Sequence, residues 1–300
     1  MNWMISWTQE DIRTLLLRKG RWTEIPVWRV LRYQVHSAFD NMAIDEAVFR
    51  EVQDHRSPPT IRFYGWCQPS ISLGYFQDLR SEVNLDACKR LGIDVVRRPT
   101  GGKAVLHGSD LTYAVVARQE GDCFEPGILA TYLAISRCLS RALRDWGIPV
   151  DYAESSRSSP EAFLNASCFA KPSRYELLVH DRKICGSAQA RSKGAFLQHG
   201  SILIDFNAAL TVEVLHGTVD TDEQVQSLAN SVTCIRDYRP VGDETPMLLS
   251  RCLEEAFSEE WGISFNGSVM TEREGALAER IGREKLTSGA PHGVPSGERK

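Results

Sequence analysis

The amino-acid sequence predicts an α+β fold, and three observations lead to it. Short runs rich in β-branched and aromatic residues recur along the chain, as in Asp94-Val95-Val96-Arg97-Arg98 and Leu111-Thr112-Tyr113-Ala114-Val115-Val116, and read as strands. Between such runs lie segments with apolar residues at helical spacing. Residues 127–146 carry Leu129, Tyr132, Leu133, Leu139, Leu143 and Trp146 on that period, closed by Gly147. Third, 300 residues with 42% hydrophobic content can bury a sizeable core. The net charge of −4 provides no electrostatic footprint for nucleic acid or an anionic membrane surface, so neither is an expected partner.

In chain order, residues 1–27 hold a short helical pattern at 10–19 and are set apart as an N-terminal extension. They lack a basic stretch followed by a long apolar one, and Leu15-Leu16-Leu17 is too short to span a bilayer, which predicts a cytoplasmic protein. Trp28 to Tyr33 reads as a first strand. Asp40 is the expected cap of a helix that turns Ile44, Ala47, Val48 and Val52 to one side. The adjacent Asp45 and Glu46 diverge by about 100° on that helix and read as solvated or locally paired carboxylates. Strands at 60–65 and 70–75 follow, then a helix from about Val83 that stops at Gly92. Beyond the helix at 127–146 come an irregular loop at 154–160, a hairpin of Tyr175–Val179 and Lys183–Gln189 about His180-Asp181-Arg182, and a strand at 196–205. Helices are expected at 225–234 and 246–261. These elements make one domain over 28–265, followed at 266–300 by a charged helix and a disordered tail.

Between the strands at 94–98 and 111–116 the chain must loop. Pro99 removes a backbone donor, and Gly101-Gly102 permits positive φ and a close approach of ligand to bare backbone. With Arg98 and Lys103 flanking the pair, the loop suits an anionic or carbonyl-bearing ligand.

Eight cysteines occur without a C-x-x-C pair or zinc-finger spacing, so no metal site is expected and most read as small buried hydrophobes. Cys168 differs, because it sits among small and polar residues ahead of Pro172. Lys183 opens the second strand of the expected hairpin, where its amine could reach back to that loop. A neighbouring ammonium lowers a thiol pKa from ~8.5 by roughly one to three units. Read from the residues alone, a hairpin lysine such as Lys183 is usually a solvated charge. Cys185, two residues on in an extended strand, shares the face of Lys183 and is a competing nucleophile. His107 and His199 are the other candidates for basic chemistry.

The Arg97-Arg98-Pro99-Thr100-Gly101-Gly102 loop resembles the signature of the biotin and lipoate protein ligase superfamily. Residues 41–47, 62–66, 69–74 and 198–202 resemble it too, in the expected order. Within the superfamily, the segments 168–177 and 182–189 resemble cysteine-type octanoyltransferases. The resemblance implies mixed β-sheets flanked by α-helices and transfer of octanoyl from octanoyl-acyl carrier protein to a lysine of a lipoyl-domain protein, such as glycine cleavage H protein. It implies that Cys168 carries the acyl thioester and Lys183 tunes it, while Arg98, Gly101, Gly102, Lys103, His107, Gly186, Ala188, His199 and Gly200 bind substrate. Neither ATP nor metal is then expected, since the donor acyl group arrives as a thioester on phosphopantetheine, and the enzyme is expected as a monomer. The alternatives are an octanoyl amidotransferase between lipoyl domains, an ATP-dependent lipoate or biotin ligase, and a non-catalytic binder of lipoyl domains.

Overall fold

Residues 110–118 place Leu111, Tyr113, Val115 and Ala117 on one side and Thr112, Ala114 and Val116 on the other, all of them buried, as a strand covered on both faces requires. A computed structural model of the protein describes residues 25–119, 125, 127–152, 176–215 and 221–287. The expected helix at 10–19, the loop at 154–160, Cys168 and the tail from 288 lie outside those residues.

The described strands are β1 (Val27–His36), β2 (Thr60–Trp66), β3 (Ser70–Leu73), β4 (Asp94–Arg97), β5 (Val105–His107), β6 (Asp110–Arg118), β7 (Asp151–Tyr152), β8 (Leu177–Val179), β9 (Arg182–Lys183), β10 (Cys185–Ser192), β11 (Ala195–Leu203) and β12 (Ser264–Gly267). The helices are α1 (Ala38–Gln53), α2 (Leu79–Glu82), α3 (Leu85–Leu91), α4 (Ile128–Asp145), α5 (Ala208–Val214), α6 (Thr221–Ser231), α7 (Thr245–Trp261) and α8 (Glu272–Thr287). Six strands form the main sheet in the order β10-β11-β6-β2-β1-β12, with β1 parallel to both neighbours and the other pairs antiparallel. A second sheet, β4-β3-β5, leans on its edge, and a third, β7-β8-β9, is small and antiparallel. These are the mixed sheets and flanking helices that the sequence predicts.

Helices α4 and α7 cover one face of the main sheet, packing Leu139, Leu143, Leu253 and Phe257 onto Ile61, Phe63, Leu111 and Val115. Helix α1 covers the other face, with α8 outside it. Helix α1 is capped by Ser37, whose hydroxyl accepts from the Asp40 N–H and donates to the Asp40 carboxylate. Asp40 is therefore the partner of the cap rather than the cap itself, because both its N–H and its carboxylate bond the Ser37 hydroxyl.

The expected hairpin is split. Asp181 and His180 take positive φ in the turn, and β8 finds its hairpin partner only in the two-residue β9, with β7 on its other edge. After Ile184 the chain crosses into the main sheet, where β10 pairs with β11 along its whole length. At the far edge, β12 spans the sequence-derived boundary at 265 and pairs with β1. The charged helix that follows turns Ala278 and Ile281 into the core beneath α1. Glu274, wholly out of solvent, accepts both terminal nitrogens of Arg29 at 2.5 and 2.7 Å, the Ser57 hydroxyl at 2.7 Å and the Thr271 N–H at 2.8 Å.

Removing one partner of such a buried pair leaves an uncompensated charge, which costs about 3–5 kcal/mol. Glu274→Ala is expected to lose that much stability in urea unfolding, and Arg29→Met added to it should restore a substantial part. A loss well under 1 kcal/mol for Glu274→Ala would mean that Arg29 is not held in a dry site.

Candidate active site

The site begins with the register of the main sheet. Tyr64, Thr112, Ser201 and Gly186 lie in one row across β2, β6, β11 and β10, and Arg62, Ala114, His199 and Ala188 in the next. Side chains alternate along a strand, so the polar members of both rows face α1 while the odd-numbered residues of β6 face α4. On α1, Asp45 lies four residues after Asn41 and three before Val48, on the stripe that turns toward the sheet. It is 1% exposed. The reading of Asp45 as a solvated or locally paired acid is corrected here, whereas Glu46 is paired with Arg50 and Lys285.

Asp45 gathers the first network. Its Oδ1 accepts from Arg62 at 2.6 Å, and its Oδ2 accepts from the Tyr64 hydroxyl at 2.8 Å and from His199 Nδ1 at 3.0 Å. Arg62 also stacks over the Tyr64 ring. Burial pushes the Asp45 carboxyl up, but the Arg62 charge and the bonds from His199 and Tyr64 outweigh it and hold the group below its ordinary range. Burial pushes the His199 imidazole down, only partly opposed by Asp45. The ring is therefore neutral, Nδ1 donates to the carboxylate, and Nε2 accepts from the Thr100 hydroxyl at 2.5 Å.

A second network centres on Asp110, which accepts from His107 Nδ1 at 2.9 Å, Thr112 at 2.9 Å, Ser201 at 2.7 Å and the Gly108 N–H at 3.0 Å. Burial raises the Asp110 carboxyl, and His107 together with these donors more than reverses it. Ser72 Oγ receives Arg98 Nη1 at 3.2 Å and so directs its own proton to His107 Nε2, 2.8 Å away. The His107 ring stacks on Trp66 at 4.0 Å.

Between the networks lies a pocket, walled by the apolar side chains of Met42, Tyr64, Trp66, Val105 and Ala188 and by the polar Ser72, Arg98, His107, Ser187, His199 and Ser201. Such a slot, apolar with a few convergent polar groups, suits a small ligand with an alkyl part and a carbonyl. Of the residues expected to bind substrate, Arg98, His107, Gly186, Ala188, His199 and Gly200 line it. Gly101, Gly102 and Lys103 are not among its walls. They form the loop beside it, braced by Arg98, whose nitrogens donate to the Gly101 carbonyl at 2.7 Å and the Lys103 carbonyl at 2.7 Å. Arg98 thus spends most of its donors on backbone instead of presenting them as a free cationic clamp. Gly102 has φ +87°, and its backbone comes against Gly74 so closely that a Cβ on Gly74 would overlap the Gly102 carbonyl.

Lys183 stands apart from the pocket walls. It is 1% exposed, not solvated, and its Nζ donates to Glu176 at 2.8 Å. Cys168 falls outside the described residues, and Glu176 is the first described residue after it. Cys185 is 2% exposed among the apolar side chains under α4, with Sγ 3.9 Å from Ser187 Oγ. Among the described residues, no group of three or more His, Cys, Asp or Glu side chains could hold a metal ion, and no helix is long and apolar enough to cross a membrane. Sequence reasoning gave no site role to Asp45, Tyr64, Trp66, Ser72, Thr100 or Asp110, although all but Asp110 lie in the segments that resemble the superfamily.

Comparison with known proteins matches residues 37–257 to the lipoyl protein ligase A/B catalytic domain. The octanoyltransferase LipM of Carboxydothermus hydrogenoformans is 36% identical over 263 residues, covering 87% of this chain and 96% of that one. The octanoyltransferase LipM of Moorella thermoacetica is 46% identical over 180 residues, which is 60% of this chain and 66% of that one. Among solved structures, a bipartite lipoate protein ligase studied with its E2 lipoyl domain, from Thermoplasma acidophilum, superposes with a TM-score of 0.71 at 26% identity, over 88% of this chain and 94% of that one.

The networks make stability depend on pH with a definite sign. His199, depressed in the folded state, contributes stability that is complete above its ordinary value of ~6.5 and is lost as pH falls toward the folded value. Asp45 acts likewise, but below ~3.9. The melting temperature is therefore expected to drop between about pH 7.5 and 5, and His199→Asn should flatten that slope. Parallel slopes for wild type and variant in a pH series of thermal melts would refute a neutral buried imidazole.

Proposed function

The chain belongs to the lipoyl protein ligase A/B catalytic-domain family, and we propose that it works there as an octanoyltransferase of protein lipoylation, forming an acyl thioester on Cys168. Near-full-length similarity to octanoyltransferases carries this reading. The pocket agrees with it. Met42, Trp66, Val105 and Ala188 offer an apolar slot for an alkyl chain, and the hydroxyl and imidazole groups at its other side suit a carbonyl.

The donor in this reading is octanoyl-acyl carrier protein, and the acceptor is a lysine on a lipoyl-domain protein such as glycine cleavage H protein. The Cys168 thiolate attacks the donor thioester, and the phosphopantetheine thiolate departs with a proton from Lys183. The acceptor lysine, having left one proton to solvent, attacks the enzyme thioester as the neutral amine, and its nitrogen passes a second proton to Lys183 as the amide forms and the Cys168 thiolate is expelled. Each half exchanges one acyl bond for another, so neither nucleotide nor metal enters. Burial of Lys183 beside a carboxylate supports the proton role, since a solvated lysine would have no reason to be held in a dry site. A second reading, ATP-dependent lipoate ligation, draws on the likeness to the Thermoplasma ligase. A third, amidotransfer of octanoyl between lipoyl domains, would use the same cysteine and lysine with a different donor.

Wild-type protein incubated with octanoyl carrier protein, without ATP or Mg²⁺, is expected to gain one octanoyl group by intact-protein mass spectrometry. Cys168→Ala should abolish the adduct, while Cys185→Ala keeps most activity. An adduct that persists in Cys168→Ala would overturn the nucleophile assignment, and product formed only from free octanoate with ATP would place the chain among the ligases.

Lys183→Arg separates charge from proton transfer. Arginine keeps the positive charge but does not readily release a proton, so iodoacetamide should still alkylate Cys168 near neutral pH while turnover falls by about 10²–10⁴-fold. Near-wild-type turnover in this variant would remove Lys183 from proton transfer.

A further inference from the structure

The reaction asks Lys183 to be charged at rest, but the fold buries it. A lysine taken out of water loses up to about 3–5 pKa units and would be neutral near pH 7. The structure answers this with Glu176, itself 4% exposed, whose Oε1 lies 2.8 Å from Lys183 Nζ. We propose that Glu176 is a positioning residue for the acyl transfer, holding Lys183 in its charged form and aiming it. This inference rests on the Cys168 and Lys183 reading above.

The backbone supports the aim. Lys183 pairs with Leu178 on one side, and on the other it bridges to Val232 and its carbonyl accepts the Thr233 N–H at 3.0 Å. With both strand edges engaged, the main freedom left to Lys183 is in its side chain, whose head group Glu176 holds. Glu176 also follows Cys168 by only eight residues, so its contact with Lys183 ties the end of the cysteine-bearing stretch to the lysine.

Other charged and titratable groups surround this pair. Tyr113 on β6 and Tyr132 on α4 feel the charge of the Glu176 carboxylate, and Cys185 on β10 neighbours both tyrosines. Burial drives both tyrosine hydroxyls far above their ordinary value, and the Glu176 charge pushes them the same way, so both are neutral and neither offsets an ammonium. Arg182, next to Lys183, turns to Asp237 at 3.4 Å and to the Tyr238 hydroxyl at 3.3 Å. Glu176 sets a full negative charge 2.8 Å from Nζ.

The carboxylate also serves the proton cycle. When Lys183 has given its proton to the leaving thiolate, the amine must recover one from the acceptor nitrogen as the amide forms, and an adjacent anion makes it the stronger base. Glu176 itself exchanges no proton and touches no substrate.

The pH dependence of Cys168 alkylation by iodoacetamide tests this in wild type, Glu176→Gln, Glu176→Asp and Lys183→Ala, alongside turnover. Glu176→Gln keeps shape and a hydrogen-bond acceptor but removes the charge. Its profile is expected to move about one unit to higher pH, making alkylation near neutrality roughly tenfold slower, with turnover falling at least as much. Glu176→Asp should recover a substantial part of both. If Lys183→Ala shifts the profile and Glu176→Gln does not, the proposal is overturned while the Lys183 reading stands. If Lys183→Ala itself leaves the profile in place, both fall. Should Glu176→Gln fail to fold, nitrogen NMR of Lys183 Nζ in the wild-type protein decides instead. A charged amine at neutral pH that loses its proton at lower pH in Glu176→Asp supports the proposal, and an amine already neutral in wild type defeats it.

Discussion

A fully buried carboxylate, Asp45, ties the catalytic half of the molecule together. It joins helix α1 to Arg62 and Tyr64 on β2 and to His199 on β11, and through His199 it reaches Thr100 of the glycine loop. Each of these partners is itself buried, so the carboxylate could not be lost without leaving several donors unsatisfied in a dry interior. The network thereby fixes the distance between helix and sheet on the face where the pocket opens. It also sets which nitrogen of His199 carries the proton, because an ionised carboxylate accepts and does not donate.

The pocket follows from that arrangement. Two rows of sheet residues supply its floor, the second sheet supplies Ser72 and His107, and Arg98 ties the glycine loop to β3 through the Ser72 carbonyl at 2.7 Å. Glycines are needed where backbone meets backbone. On Gly200 a Cβ would come within 2.7 Å of Gly186 O and Tyr113 Cε1, so a side chain there would push β10 away from β11 and widen the pocket wall. The slot is shaped by close packing and by satisfied polar groups in equal measure.

The two halves of the chemistry lie in different environments. The pocket, with its imidazoles, faces α1, whereas the Lys183 and Glu176 pair neighbours Tyr113 and Tyr132 on the side of α4. Strand β10 separates them, and Ser187 on that strand borders both, lining the pocket while its hydroxyl meets the Tyr113 hydroxyl at 2.7 Å.

Much of this was legible in the sequence. Alternation in β6, the amphipathic stripe of α4, the stops at Gly92 and Gly147, and the glycine pair after Arg98 all express local rules, in which a residue and its near neighbours carry the signal. The sequence by itself determined the fold class, the longest helices and the loop and strands from which six of the pocket residues come. What it could not express is contact between residues far apart in the chain. Asp45 reads as one of two adjacent surface acids until β11 brings His199 to it across 154 positions, and Arg29 meets Glu274 across 245. The hairpin expected at 175–189 divides because β10 gains a full-length partner in β11, which a local reading of turn residues cannot weigh against a two-residue β9. Lys183 was placed on its strand by sequence, but its burial was decided by the tertiary fold, because whether a charge is solvated or paired depends on what packs over it.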